Sequence, residues 1–426
     1  MKRLDGEDAQ PAGLRRELGP IDATAIGLGA IVGAGIFVVT GVAAGVAGPA
    51  LLVGLVLAAL AATANALSSA QLAATYPVAG GTYEYGYRVL GGTVGFAAGW
   101  LFLAGKIAAA GTVAIGLGGY LGGVLPGVPP RWLGVSAVIV FTALNVFGMR
   151  RSSQVNLVIV TISTGALVLF ALTALPAFDA SNLRPFAPAG WQGALRAAGL
   201  LFFAYTGYAR IATLGEEVRE PERTIPRAII ATIAITVVLY IGVTFVALGV
   251  AGAAGLADTP APLLAAARAT AVPWLPALVI VGATAAMLGV ILSQLLGLSR
   301  MAFAMARRRD LPGSLSHVRA GTGVPDRAVV LVGAIAAVVA ATGTLAGVAA
   351  AASFTILLYY GIANAAALRM PAERKLFPDA VPIAGLAACI LLALSLPLST
   401  ILLGISVLAS GFIVRAAVHR FDAGNR

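Results

Sequence analysis

The chain has 426 residues, 59% of them hydrophobic and 11% charged, with a mean hydropathy of +0.95 and a net charge of +11. A soluble fold of this length cannot hide so much apolar surface, so lipid must serve as its solvent. No polar segment is long enough to hold the basic, aromatic-studded patch that nucleic acid requires, and a single cysteine excludes an internal disulfide or a cysteine-built metal site.

Along the chain, the first residues, with Asp5, Glu7, Asp8 and Pro11, are too polar for the apolar region of a cleaved signal. Residues 1–20 read as a cytoplasmic tail. Apolar runs long enough to cross a bilayer as helix follow near 23–46, 48–75, 91–124, 132–148, 153–175, 192–213, 227–252, 274–303, 328–345, 347–368, 380–396 and 398–416. The short alternating segments of a lipid-facing barrel do not occur. The reading is an all-α polytopic membrane protein of twelve spans. "AGAAGLADTPAPLLAAARATAVPW", Ala251 to Trp274, is less hydrophobic and reads as a short helix over the outer surface.

With the N-terminus placed inside, 22 Lys and Arg fall on the cytoplasmic side and four outside: Arg131, Arg184, Arg196 and Arg268. That asymmetry is the positive-inside pattern, so the basic balance reports topology, with both termini cytoplasmic and the chain in the cytoplasmic membrane. Two cations remain within spans, Lys106 and Arg210. No zinc-protease, nucleophile-elbow or phosphate-loop motif occurs, so an enzyme is not expected, nor any metal or cofactor.

Two spans carry breaks. The first, "GLGAIVGAGIFVVTG" (Gly27 to Gly41), is lipid-soluble yet rich in glycine; the sixth, "LLFFAYTGYARIATLGEE" (Leu200 to Glu217), is interrupted at Tyr205-Thr206-Gly207. Five spans apart, they enter the membrane from opposite sides. Paired breaks of opposite orientation point to an inverted-repeat transporter with its site at the midplane. The halves would be 21–176 (spans 1–5) and 192–368 (spans 6–10), with two added spans over 380–416 and a cytoplasmic tail over 417–426. Close helix packing is the competing account of these glycines, since Gly29 and Gly33 have the small-xxx-small spacing.

These stretches, with "TYPVAGGTYEYGYRVLGG" after the second span, "FFAYTGYARIATLGEEVREPERTIPRAI" across the sixth and "SRMAFAMARRRDLP" after the eighth, resemble the amino acid–polyamine–organocation superfamily of permeases. Within it they are similar to bacterial amino acid permeases related to the cationic amino acid transporters. The resemblance implies a LeuT-type fold, five plus five inverted helices and two more, that carries amino acids by alternating access. A polyamine or organic-cation carrier and a transport-inactive sensor are the alternatives.

A zwitterion leaving water needs both charges met, and helix ends freed by a break can meet them: N–H groups for the carboxylate, carbonyls for the ammonium. The family pattern places the carboxylate at Val32, Gly33, Ala34, Gly35 and Ile36. It places the amino group at Ile31, Phe202, Phe203, Ala204 and Tyr205, beside Gly207, with Phe203 as the aromatic over the substrate.

Lys106, deep in the third span, is an intramembrane cation and so a functional hypothesis by default. Proton-coupled relatives carry a lysine in the fifth span, where this chain has Ser163; the hydroxyls of sodium-dependent relatives are replaced by Gly289 and Val290. Proton coupling through Lys106, by symport or exchange and without sodium, is therefore expected, against a structural lysine bonded to helix carbonyls. Arg210 with Glu216 or Glu217 would form an inner gate, or Arg210 would anchor its helix at the interface.

Overall fold

The computed structural model describes residues 18–33, 35–76, 80–148, 153–212, 218–257 and 259–424. Among them the chain is helical, apart from turns and one isolated bridge between Leu18 and Val218. The helices are α1 (Pro20–Ile31), α2 (Thr40–Ala47), α3 (Leu51–Thr75), α4 (Thr82–Tyr85), α5 (Gly92–Gly122), α6 (Pro130–Val146), α7 (Ser153–Ala174) and α8 (Gly190–Tyr205). After them come α9 (Ala209–Ala212), α10 (Pro221–Ala257), α11 (Pro262–Ala269), α12 (Leu275–Arg307), α13 (Asp326–Thr342), α14 (Leu345–Leu368), α15 (Ala380–Ser395) and α16 (Leu398–Gly424).

Among the described residues, each apolar run read from the sequence is mainly helix, with interruptions in the first and sixth. Seven segments among the described residues are long and apolar enough to cross a membrane, one of them running over Pro20–Thr75, and Pro130–Val146 and Ala380–Ser395 are shorter apolar helices. The short helix expected between the seventh and eighth spans is α11, eight residues long and mostly buried against its neighbours.

In lipid there is little hydrophobic force between helices, so association relies on close packing over small residues. A side chain at Gly54 on α3 would strike the Ala198 backbone of α8, 3.0 Å away. One at Gly105 on α5 would reach Ile356 and Thr355 of α14 within 2.7 Å. Gly118 and Gly134 let α5 and α6 meet backbone to backbone, each facing a carbonyl of the other. Gly252, at φ +68°, turns the end of α10 in a conformation only glycine adopts easily. The outward surface carries Leu60, Phe147, Leu172, Val238, Leu394 and Ile413, each at least 60% exposed, as a lipid-facing surface requires.

One end of the bundle gathers charge. Glu84, buried after α3, is ion-paired with Arg88 at 2.7 Å and with Arg308 beyond α12. Asp310, 1% exposed, accepts from Tyr83 at 2.8 Å and Tyr87 at 2.5 Å and lies 2.8 Å from the guanidinium of Arg415 on α16. Burial first, then the bond to Asp310, pushes both phenols above the usual tyrosine range. The bridge from Leu18 to Val218 brings the start of α1 to the segment leading into α10.

Candidate functional site

The first span stops being α-helix at Ile31. Val32 is extended (φ −69°, ψ 105°), and the chain resumes at Gly35 as one wide π-turn, Gly35–Val39, before α2. In the sixth span α8 stops at Tyr205, a 3₁₀ turn covers Thr206–Tyr208, and α9 adds one further turn. Both breaks fall where glycine and the following residues cannot sustain a regular ladder.

The two breaks lie against each other. A Cβ on Gly207 would overlap the carbonyl of Ala30 and come 2.6 Å from the nitrogen of Ile31. A Cβ on Gly35 would come 2.5 Å from the Cα of Ala204. These glycines are therefore needed for contact between the two broken segments, while Gly29, against Asn156 and Val160 of α7, is of the ordinary packing kind. Close packing thus accounts for Gly29, and Gly35 and Gly207 use the same close approach to bring the two broken segments together.

Breaking a helix in lipid frees carbonyls that must be bonded elsewhere. Three tyrosine hydroxyls from three other helices do this: Tyr240 donates to the Ile31 carbonyl at 2.9 Å, Tyr120 to that of Phe37 at 2.7 Å, and Tyr360 to that of Thr206 at 3.5 Å. The Phe203 carbonyl accepts from both the N–H and the hydroxyl of Thr206, the latter at 2.9 Å. Tyr120, Tyr240 and Tyr360 went unread in the sequence; their signal was a lone tyrosine in each of two apolar spans and the Tyr359-Tyr360 pair in a third.

Between the breaks lies a narrow cavity of about 30 Å³, enough for water and too small for an amino acid in this closed arrangement. Ile31, Gly33, Gly35, Lys106, Phe203, Ala204 and Gly207 of the expected set line it, joined by Thr206, Val290 and Gln294. Val32, Ile36, Phe202 and Tyr205 are buried beside it without lining it, and Ala34 lies outside the described residues. The Phe203 ring is 7% exposed, a wall of the cavity rather than a lid standing clear of it.

Lys106 reaches the sixth-span break: its Nζ donates to Thr206 Oγ1 at 3.3 Å. Among the described residues it has no ion-pair partner. Its bond is to a side chain of the broken span, and that Thr206 hydroxyl in turn donates to the Phe203 carbonyl. Gln294, on α12, was missed because a single amide in a span is an unremarkable residue; its buried Oε1 lacks a hydrogen-bond partner among the described residues. Ser163 is buried on α7, donates to its own helix at the Val160 carbonyl (3.1 Å) and does not line the cavity. Arg210 is exposed on α9; Glu216 and Glu217 lie outside the described residues.

The amino acid permease family matches residues 18–416. An uncharacterized transporter of Mycobacterium tuberculosis is 45% identical over 415 residues, spanning 96% of this chain and 92% of that one. The branched-chain amino acid permease BcaP of Bacillus subtilis is 34% identical over 72% of this chain and 70% of its own length. The methylthioribose transporter of the same organism is 32% identical over 94% and 93%. The chain thus belongs to the amino acid permease family of the amino acid–polyamine–organocation superfamily, and is a multi-pass membrane protein of a transporter family.

Proposed function

We propose that this protein is a secondary active transporter that carries amino acids across the cytoplasmic membrane by alternating access, sodium-independent and proton-coupled as symporter or exchanger. The observation that carries the reading is the meeting of two broken spans, about 170 residues apart in sequence, around one cavity that also receives an intramembrane lysine. The substrate carboxylate is met by the N–H groups at the start of the turn that begins at Gly35, ahead of Phe37, whose own N–H is already bonded to the Gly33 carbonyl at 3.3 Å. The ammonium is met by carbonyls of the 202–205 stretch, with the Phe203 ring as a wall beside it.

The architecture proposed with it is the five-plus-five inverted repeat, 21–176 and 192–368, followed by two spans in 380–416 and with both termini cytoplasmic. The 22-to-4 distribution of basic residues supports that orientation. Lys106 is assigned to coupling and Arg210, Glu216 and Glu217 to the inner gate, which the Glu84 and Asp310 clusters at the same end would reinforce. A polyamine carrier is disfavoured because the cavity presents an ammonium and no carboxylate among the described residues. A sensor role has no observation in its favour.

The test is uptake of a labelled amino-acid panel, with methylthioribose included, into proteoliposomes under imposed pH and sodium gradients. Accumulation of an amino acid driven by the pH gradient and indifferent to sodium is expected; no binding or movement of any amino acid refutes the reading.

A further inference from the structure

The proposed zwitterion contacts leave two polar groups of the cavity unused. One is the Lys106 ammonium, held by a single hydrogen bond to Thr206 and with no carboxylate paired to it among the described residues. The other is the Gln294 amide, whose oxygen is buried without a hydrogen-bond partner among the described residues. They project from two different helices, α5 and α12, that pack side by side, and both line the same cavity as the two breaks. A buried cation without a counter-charge and an amide without a partner are both costly, and such groups persist where something binds them.

We infer that Lys106 and Gln294 form a subsite for the substrate's side chain, and that it selects amino acids whose side chain ends in a carboxylate. This rests on the cavity being the amino acid site proposed above. The ammonium supplies the counter-charge, and the Gln294 amide, turned so that its nitrogen takes the place of the unpartnered oxygen, donates a second hydrogen bond from Nε2. The remaining wall, Val290 and Phe203 with the glycines, packs against methylenes. A cationic side chain would meet a like charge with no carboxylate to offset it, so basic amino acids are rejected by repulsion and not by size. A dicarboxylic substrate with a protonated Lys106 leaves the loaded site neutral, which joins selection to the proposed proton coupling.

Competition binding on the full-length protein in proteoliposomes tests this, with L-glutamate, L-aspartate, L-alanine and L-lysine as probes. The dicarboxylic amino acids should bind at least tenfold more tightly than lysine. Gln294→Leu and Lys106→Met should each lower the ratio of dicarboxylate to alanine affinity at least tenfold, and Lys106→Arg should restore most of it. Lysine competing as well as glutamate, or a ratio unmoved in both variants, overturns the inference while leaving the amino acid site intact. If alanine and lysine bind and the dicarboxylates do not, the inference also fails. Absence of binding by all four probes removes the amino acid reading on which it rests. The wild-type comparison needs no variant to fold.

Discussion

Replacing Gly207 by alanine is the sharpest test of the two-break geometry. The added methyl would overlap the Ala30 carbonyl and stand 2.6 Å from the Ile31 nitrogen. Non-bonded heavy atoms settle about 3.5 Å apart, so the two broken segments must separate by about 1 Å. The neighbours are backbone, which cannot rotate away. Forcing an extra carbon into a packed interior costs about 1–3 kcal/mol, and a misplacement of about 1 Å at a site where groups must converge costs about 10²-fold. Binding should therefore fall by about two orders of magnitude while the protein still inserts and purifies. Gly35→Ala, whose methyl meets the Ala204 backbone at 2.5 Å, should behave alike. Gly33→Ala should be milder, because its obstacle is the Val290 Cγ2 at 2.8 Å, a side chain able to turn for about 0.5–1.5 kcal/mol. Gly165→Ala on α7, with nothing within 4 Å, is the control and should leave binding unchanged. The assay pairs equilibrium binding of a labelled amino acid with thermal unfolding in detergent. Wild-type affinity in Gly207→Ala, or an equal loss in Gly165→Ala, would refute the reasoning.

Further outcomes follow from the same contacts. Lys106→Ala should abolish the effect of an imposed pH gradient on uptake with protein still in the membrane; undiminished pH-driven accumulation would sink its coupling role. Tyr240→Phe strands the Ile31 carbonyl, a loss of about 1–3 kcal/mol, to be read as a lower unfolding temperature, with no shift counting against the bracing role. Arg415→Ala leaves the buried Asp310 carboxylate without its cation and should destabilise by about 3–5 kcal/mol in denaturant unfolding. Stability equal to wild type would mean the α16 tie is idle. Ser163→Ala should change uptake less than twofold in a transport assay, because its hydroxyl serves its own helix; a tenfold loss would return Ser163 to the coupling machinery.

The helices were legible because a lipid-solvated span announces itself by length and hydropathy alone, which needs no partner to read. The first break was legible as glycines, and the sixth as Tyr205-Thr206-Gly207, but only their spacing along the chain linked them. Contact between Gly207 and Ala30, or between Gly35 and Ala204, is a property of crossing angles that no local pattern encodes. The bracing tyrosines were hidden for the same reason: Tyr240 lies over 200 residues from the carbonyl it serves. Lys106 stood out because charge in lipid is costly anywhere, whereas Gln294 gave no such alarm. Asp310 was read only as part of a motif, since its partners Tyr83, Tyr87 and Arg415 come from opposite ends of the chain.

The tyrosine hydroxyls bear on the half of the transport cycle that carries no cargo. A carrier that accumulates its substrate has to turn around empty, and an unfilled gap in two helices would then either heal into continuous helix or take in water. Because Tyr120, Tyr240 and Tyr360 bond carbonyls at both interruptions, the proposed cycle needs neither repair. The receptor is kept folded in readiness, so arrival of a substrate need not bear an unwinding cost, and the return stroke can proceed with the breaks preserved.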